Sequence, residues 1–598
     1  MSDKKYTIAD FLEVKSSFAG RFSPDASRVA YLSDESGTEQ IYIIPARGGG
    51  AVQLTDFPDY ISGLIFSPTE NIIVFSKSEG GTELDQLYTL NPDTKEIIQL
   101  TNDKKMKYGL GTFSYDGRFI SYASNERNGT DLDIYIMQLA TRRVKCVFDQ
   151  GGWCGPVGFS PSGKYLMVAK NYSNEDNDLY LCDLETDEIE HVTPHTEKVY
   201  HGSSRWLPDE SAFYVTMDKG VEFMSLARYA MKDKEFEYVL KPDWDIEGLA
   251  MQKDGKYLAI TFNKDGYTKV TIHDPYTLKV LPFTLPQGEI GGISFSRDGS
   301  QMMLTLWDAC RTTDIYVADM KTGVSRQLTH SHQGVPPEVL VVPELVRFVS
   351  FDGLEVPAFI FKPKNTAAEK KLPVIIYIHG GPESQYRPEL AQLTQYFIYS
   401  GYMVVAPNVR GSKGYGKTYM ALDNVEKRID SVKDIVALRE YLKTLPEVDT
   451  KKVVLYGGSY GGYMVLACMA FYPGLWAAGV DIVGIVNFVT YMENTSSYRR
   501  AAREAEYGSL EKDRKLLESI SPIHALDKMD APLFVIHGAN DPRVPVSEAE
   551  QVVAKLREHG KDAELLVYPD EGHGLYKLKN RLDAFPKVVA FLEKELTK

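Results

Sequence analysis

The sequence predicts a multidomain chain, an N-terminal seven-bladed β-propeller followed by a domain built on a helix-covered parallel sheet. Three observations predict it. A short phrase recurs seven times at nearly even spacing in the first half. Strand-like and helical stretches alternate in the second half, the pattern of a parallel sheet with helices on both faces. The length of 598 residues also exceeds what one core organises, since domains run to about 100–250 residues.

The repeated phrase is Phe-Ser-Pro-Asp or a close variant. It begins at Phe22, Phe66, Phe113, Phe159 and Phe295, with degenerate copies at Trp206 and Met251, and successive copies lie 44–47 residues apart. Each copy leads through a turn into an alternating apolar run such as Arg28-Val29-Ala30-Tyr31-Leu32. A polar hairpin and a second run, Gln40 to Ile44, come next, and Gln-Leu-Thr often closes the unit, as at Gln53–Thr55 and Gln327–Thr329. Period-two alternation marks half-buried strands. About four strands in about 45 residues make one propeller blade. The expected boundaries are an N-terminal segment, 1–14, with a short helix packing on the second domain; a propeller, 15–335; and a catalytic domain, 336–598.

Composition narrows the function classes. The net charge is −15, and no Lys/Arg tract appears, so nucleic acid is not expected as a partner. The five cysteines are scattered, with no C-x-x-C pair, which fits reduced thiols in a cytoplasm rather than a disulfide framework or zinc site. No apolar run approaches the roughly 18 residues of a membrane span, and the N-terminus lacks a secretory apolar region. No membrane partner, metal or cofactor is expected. A homodimer or higher homo-oligomer is compatible with the sequence.

The chemistry lies in the second half. Strand-like Lys452–Tyr456 runs into Gly457-Gly458-Ser459-Tyr460-Gly461-Gly462, and a helical stretch follows. This is G-x-S-x-G between a strand and a helix, the nucleophile turn of an α/β-hydrolase domain. A serine hydroxyl needs a base, and the base needs an orienting acid. Chain order in such domains is Ser, acid, His. Asp541 follows the buried run Leu533–Gly538, and His573 follows Leu565–Pro569; they are the expected acid and base. His559 is read as a helix-end residue, His537 as a strand-end residue, and Asp570 as a turn former. The oxyanion requires two N–H donors. The backbones of Tyr460, after the nucleophile, and of Gly381, in His379-Gly380-Gly381-Pro382, are the candidates.

These features resemble the prolyl oligopeptidase family of serine peptidases over nearly the whole chain. The matching phrases are Gly457–Met464, Asn408–Ser412 with Gly414-Tyr415-Gly416, Asn540–Pro545 and Gly572-His573. The resemblance implies a propeller that caps the active site and admits short peptides, and it carries the catalytic triad onto Ser459, Asp541 and His573. It also implies substrate-binding roles for Arg543, on a substrate carbonyl, and for Phe488, in the specificity pocket; a surface salt bridge and a core aromatic are the competing readings. At the head of the oxyanion loop some branches carry a tyrosine, whereas His379 here is similar to the acylaminoacyl-peptidase branch. The expected activity is therefore release of N-acylated amino acids from blocked short peptides. Dipeptidyl peptidase or oligo-endopeptidase specificity, a carboxylesterase, and a non-catalytic propeller scaffold are the alternatives. No Glu-Glu pair that would anchor a substrate amine is evident in the propeller; Glu35 and Glu175-Asp176 read as solvated hairpin charge.

Overall fold

In the computed structural model, residues 5–364 and 371–597 are described. The first four residues of the N-terminal segment, part of the expected catalytic domain (365–370) and its last residue lie outside them. Seven consecutive four-stranded antiparallel sheets form the first domain. Blade 1 comprises Ser17–Phe22, Arg28–Ser33, Gln40–Pro45 and Val52–Gln53, and each later blade repeats that order.

The repeated phrases are explained by the hydrogen bonds they make. In the Phe-Ser-Pro-Asp turns the serine hydroxyl donates to the aspartate, as Ser23 does to Asp25 (2.6 Å) and Ser296 to Asp298 (2.6 Å). The same carboxylates accept an N–H two residues on, from Ser27 and Ser300, both at 3.0 Å; this is an Asx-type turn. In the Gln-Leu-Thr phrases, the threonine hydroxyl accepts the Ile41 N–H at 2.9 Å from Thr55 and the Ile315 N–H at 2.9 Å from Thr329. It satisfies a strand N–H where the short outer strand stops.

Apolar burial lies between blades. One cluster joins Ala30, Leu32 and Ile41 of blade 1 to Ile61, Leu64 and Phe75 of blade 2. Another joins Val29, Tyr31 and Ile44 of blade 1 to Met303, Ile315 and Val317 of blade 7, closing the ring. Blade 7 is built wholly from Glu289–Phe295 and the three strands after it, so closure rests on side-chain packing. Hydrogen bonds support it: Thr312 to the Lys15 carbonyl, and Ser17 to Ser331 at 2.9 Å between hydroxyls.

The second domain is an eight-stranded sheet. Its order is Glu344–Val349, Glu355–Phe361, Met403–Pro407, Leu372–Ile378, Val448–Gly458, Ala478–Ile482, Leu533–Gly538 and Ala563–Tyr568. From Met403–Pro407 onward neighbours run parallel. Parallel strands need crossovers, and the nucleophile helix Tyr460–Phe471 provides one, buried along nearly its whole length. A short helix, Ile8–Leu12, precedes the propeller but packs on the second domain, with Phe11 against Tyr396 and Tyr399. No helix among the described residues is long and apolar enough to cross a membrane.

Candidate active site

Ser459 stands between the strand Val448–Gly458 and the helix Tyr460–Phe471, at φ 57° and ψ −120°. Few non-glycine residues adopt a positive φ, and here it is forced by the reversal from strand to helix. A Cβ at Gly461 would collide with the Ile378 carbonyl of the neighbouring strand, so glycine there lets the helix descend onto the sheet. The turn lifts the serine hydroxyl above the sheet's carboxyl edge, where helix N–H groups favour developing negative charge.

His573 and Asp541 lie on loops after the last two strands, and the three side chains form one relay. His573 Nδ1 lies 2.7 Å from Asp541 Oδ2, and His573 Nε2 lies 3.0 Å from Ser459 Oγ. The tautomer that donates Nδ1–H to the carboxylate leaves Nε2 as acceptor for the serine hydroxyl. Asp541 is itself held: its Oδ1 accepts the N–H groups of Arg543 (2.8 Å) and Val544 (3.0 Å). Burial would raise its carboxyl pKa, but the charge and hydrogen bond of His573, then His537 and the Val544 N–H, hold it below the usual range.

The other histidines are occupied elsewhere. His537 is buried, with Nε2 2.8 Å from the Val544 carbonyl, and so fixes the loop that carries Asp541. His559 caps the helix Ser547–Glu558. Asp570 is ringed by Lys577, Lys579 and Asn580. His379 places Nε2 2.9 Å from Ser412 Oγ and Nδ1 2.8 Å from the Gly380 carbonyl. Its ring is thus tied into the loop it heads, and burial lowers its pKa.

That loop sits against the nucleophile turn. A Cβ at Gly380 would lie 3.3 Å from Ser459 Cβ. Gly381 has φ 132°, a conformation that suits glycine. Tyr460 opens the nucleophile helix, whose first N–H groups have no intrahelical acceptor. Its phenol is buried beneath the turn, donating to Asp423 Oδ2 at 3.0 Å and lying 2.7 Å from the Ser431 hydroxyl.

Arg543 reaches across the domain boundary, its Nε donating to Glu83 of blade 2 at 2.6 Å. Here the salt-bridge reading is what the structure displays. Phe488 requires a correction: it has no exposed surface and packs against Tyr463, Tyr491 and Tyr507. It is a core aromatic at the start of the helix Phe488–Asn494.

Sequence reasoning missed a polar cluster beside the oxyanion loop. Glu383, two residues after Gly381, accepts from Asn174 of blade 4 at 2.9 Å and lies 3.9 Å from Arg503. Burial would raise its carboxyl, but a hydrogen bond from Glu506, then Arg503 and Asn174, hold it low. Glu506 is pushed well above the usual carboxylate range by burial and then by Glu383, although it pairs with Arg428. No sequence signal links these residues, because they come from four separated segments and two domains. Asn174 and Glu383 of this cluster border a cavity of about 700 Å³ between the domains, which Asp218, Asp245 and Glu247 also line. Among the described residues no group of His, Cys, Asp and Glu is arranged to hold a metal ion.

Comparison with known proteins agrees with this architecture. Residues 388–598 match the prolyl oligopeptidase family, and residues 60–292 match the prolyl oligopeptidase N-terminal beta-propeller domain. Dipeptidyl aminopeptidase BIII of Pseudoxanthomonas mexicana is 28% identical over 595 residues, which cover 94% of this chain and 84% of that protein. A puromycin-hydrolyzing peptidase of Mycobacterium tuberculosis superposes with a TM-score of 0.88 at 20% identity, over 99% of this chain and 96% of that one. Pyrococcus horikoshii acylaminoacyl peptidase gives a TM-score of 0.75 at 20% identity, over 99% and 98%.

Proposed function

We propose, on the premise that this chain belongs to the prolyl oligopeptidase family of serine peptidases, that Ser459, His573 and Asp541 hydrolyse short peptides through an acyl-enzyme. The hydrogen-bonded relay from Asp541 through His573 to Ser459 carries this reading. Ser459 Oγ attacks the scissile carbonyl carbon while its proton passes to His573 Nε2. The carbonyl oxygen takes the negative charge, and the N–H groups of Gly381 and Tyr460 receive it. His573 returns the proton to the departing amine as the C–N bond breaks. Water, deprotonated by the same imidazole, then releases the acyl group and restores Ser459. Asp541 holds the ring and stabilises the imidazolium without being protonated. Arg543 supplies a planar donor fork for a substrate carbonyl.

The preferred substrate is an N-acylated short peptide, cleaved to an acyl amino acid. Its support is His379, whose ring is engaged by Ser412 and Gly380, which leaves oxyanion stabilisation to backbone donors. A second reading, cleavage behind a free amine, is favoured by the cavity next to the oxyanion loop. Asp218 and Asp245 line it, and burial pushes Asp245 up to about 6. A substrate ammonium would relieve that cost. All five cysteines are unpaired thiols, which supports a reducing, cytoplasmic setting.

One substrate series tests both levels. Chromogenic peptides with acetyl-blocked and free N-termini are compared by kcat/KM. Preference for the blocked series supports the first reading and preference for free amines the second. Hydrolysis of neither, with no fluorophosphonate labelling at Ser459, overturns the peptidase assignment.

A further inference from the structure

Two arginines on the innermost strands of the propeller form no ion pair among the described residues. Arg21 lies on the innermost strand of blade 1, Ser17–Phe22, and Arg205 on that of blade 5, His201–Trp206. Each guanidinium donates Nη1 to the carbonyl of its own preceding residue, Arg21 to Gly20 at 2.7 Å and Arg205 to Ser204 at 2.6 Å. Among the described residues, the charges that bear on them are not carboxylates: burial and then Arg205 act on Arg21, and burial against Tyr115 acts on Arg205.

The surroundings extend the pattern. A cavity of about 360 Å³ at the outer mouth is formed by the Phe-Ser-Pro turns. Its charged lining residues are Arg21, Lys253 and Arg297, with no carboxylate among them. The nearby aspartates of the repeat, Asp25 and Asp298, are turned into their own Asx turns. At the other end, Arg205 lines the interdomain cavity, whose charged lining is mixed: Glu383, Asp218, Asp245 and Glu247 stand beside Arg387 and Lys417. Arg21 thus faces the outer cavity and Arg205 the inner one, and they are close enough for Arg205 to depress the Arg21 pKa.

Gathering like charges in a confined, poorly solvated channel is costly unless an anion completes it. In a chain of net charge −15, an outer mouth whose charged lining is cationic throughout is not a by-product of composition. We propose that Arg21 and Arg205 bind the C-terminal carboxylate of a peptide whose N-terminal part occupies the site at Ser459, with Lys253 and Arg297 drawing that end outward. This rests on the peptidase reading above. Guanidinium forks match carboxylate geometry in pairs of hydrogen bonds. An extended octapeptide spans roughly 26 Å, longer than the roughly 20 Å of a six-residue blade strand such as Ser17–Phe22. Inorganic phosphate shares the chemistry and serves as a competitor.

The test measures binding without turnover. Full-length protein carrying Ser459→Ala is titrated by fluorescence anisotropy with two octapeptides, identical except for a free or an amidated C-terminus. The free acid is expected to bind about tenfold tighter, and Arg21→Gln with Arg205→Gln is expected to abolish the difference. Phosphate should weaken the free acid alone. The proposal is overturned by equal binding of both peptides, by a preference that survives the double substitution, or by phosphate displacing both equally. Lys253→Gln with Arg297→Gln, at the outer mouth, should reduce the preference severalfold and keeps the test valid if the tunnel pair impairs folding. On a short chromogenic substrate that cannot reach the tunnel, the arginine variants with Ser459 restored should act like the parent. Loss of turnover there by the parent as well would indict the peptidase reading, whereas the anisotropy preference reads the tunnel alone.

Discussion

In the hydrolase domain, Ser459, Asp541 and His573 stand within five residues of the ends of Val448–Gly458, Leu533–Gly538 and Ala563–Tyr568. In the propeller, the groups that reach the site come from hairpins between the second and third strands of a blade. Glu83 lies between Ile73–Lys77 and Gln86–Leu90, and Asn174 between Tyr165–Asn171 and Asn177–Asp183. The first arrangement places chemistry on a rigid sheet edge, through turns whose residues are dictated by sterics. The second places it on loops whose residues only need to reach. A hydrolase loop is therefore readable from its own sequence, whereas a propeller hairpin acquires meaning only when it meets the other domain. The blade 2 hairpin shows this well. Asn540 donates to the Gly80 carbonyl at 2.8 Å, a Cβ at Gly81 would collide with Gly572, and Glu83 binds Arg543. One hairpin thus braces the loops of both Asp541 and His573.

If the sheet edge carries the chemistry, its residues should dominate the kinetics. Ser459→Ala is expected to lower kcat by about 10⁴-fold or more with the melting temperature unchanged. Asp541→Asn is expected to lower it by about 10³–10⁴-fold, through loss of the productive tautomer. Steady-state kinetics on any cleaved peptide check both. Activity within about tenfold of the parent for Ser459→Ala would reverse the comparison.

The boundary between the domains should give intermediate effects. Arg543→Ala is expected to raise KM by about ten- to a hundredfold if the guanidinium holds a substrate carbonyl. Glu83→Gln, which removes only its partly exposed ion-pair partner, should change kcat/KM by no more than about threefold. Equal losses in both variants would mean that the pair matters only as a clamp between domains.

The smallest effect concerns the sheet's interior. Asp481 is fully buried at the end of Ala478–Ile482, and burial, opposed by the Gly484 N–H, pushes its pKa up to about 7. The folded state then binds a proton that the unfolded chain, with an aspartate near 4, releases. The sign follows: this group's contribution to stability is fully present below about pH 4 and is lost as pH rises through about 7. Asp481→Asn should flatten that part of the stability profile in denaturant titrations from pH 4 to 8. An unchanged slope would show that the carboxyl is ionised at neutral pH.

Much of this molecule was legible before it was folded. The blades follow from the spacing of Phe-Ser-Pro-Asp, because each copy places a side-chain-braced turn between the first two strands, an Asx turn at Asp25 and Asp298 and a Ser- or Gln-braced one at Ser67, Ser160 and Gln252. Ser459 follows from its glycines, since a strand-to-helix reversal over a packed sheet leaves no room for side chains at Gly461. Asp541 and His573 follow from chain order, because parallel strands deliver successive loops to one edge. Tertiary structure alone decided the rest. Phe488 and a pocket aromatic look alike in sequence, and only burial against Tyr463 and Tyr507 separates them. Asn174, Glu383 and Glu506 carry no shared motif, and their meeting depends on how one domain sits on the other. Arg21 and Arg205, more than 180 residues apart in the chain, face one tunnel because the ring closes. Short-range sterics write themselves into sequence; the pairing of charges across a boundary is set by distances that the chain order does not contain.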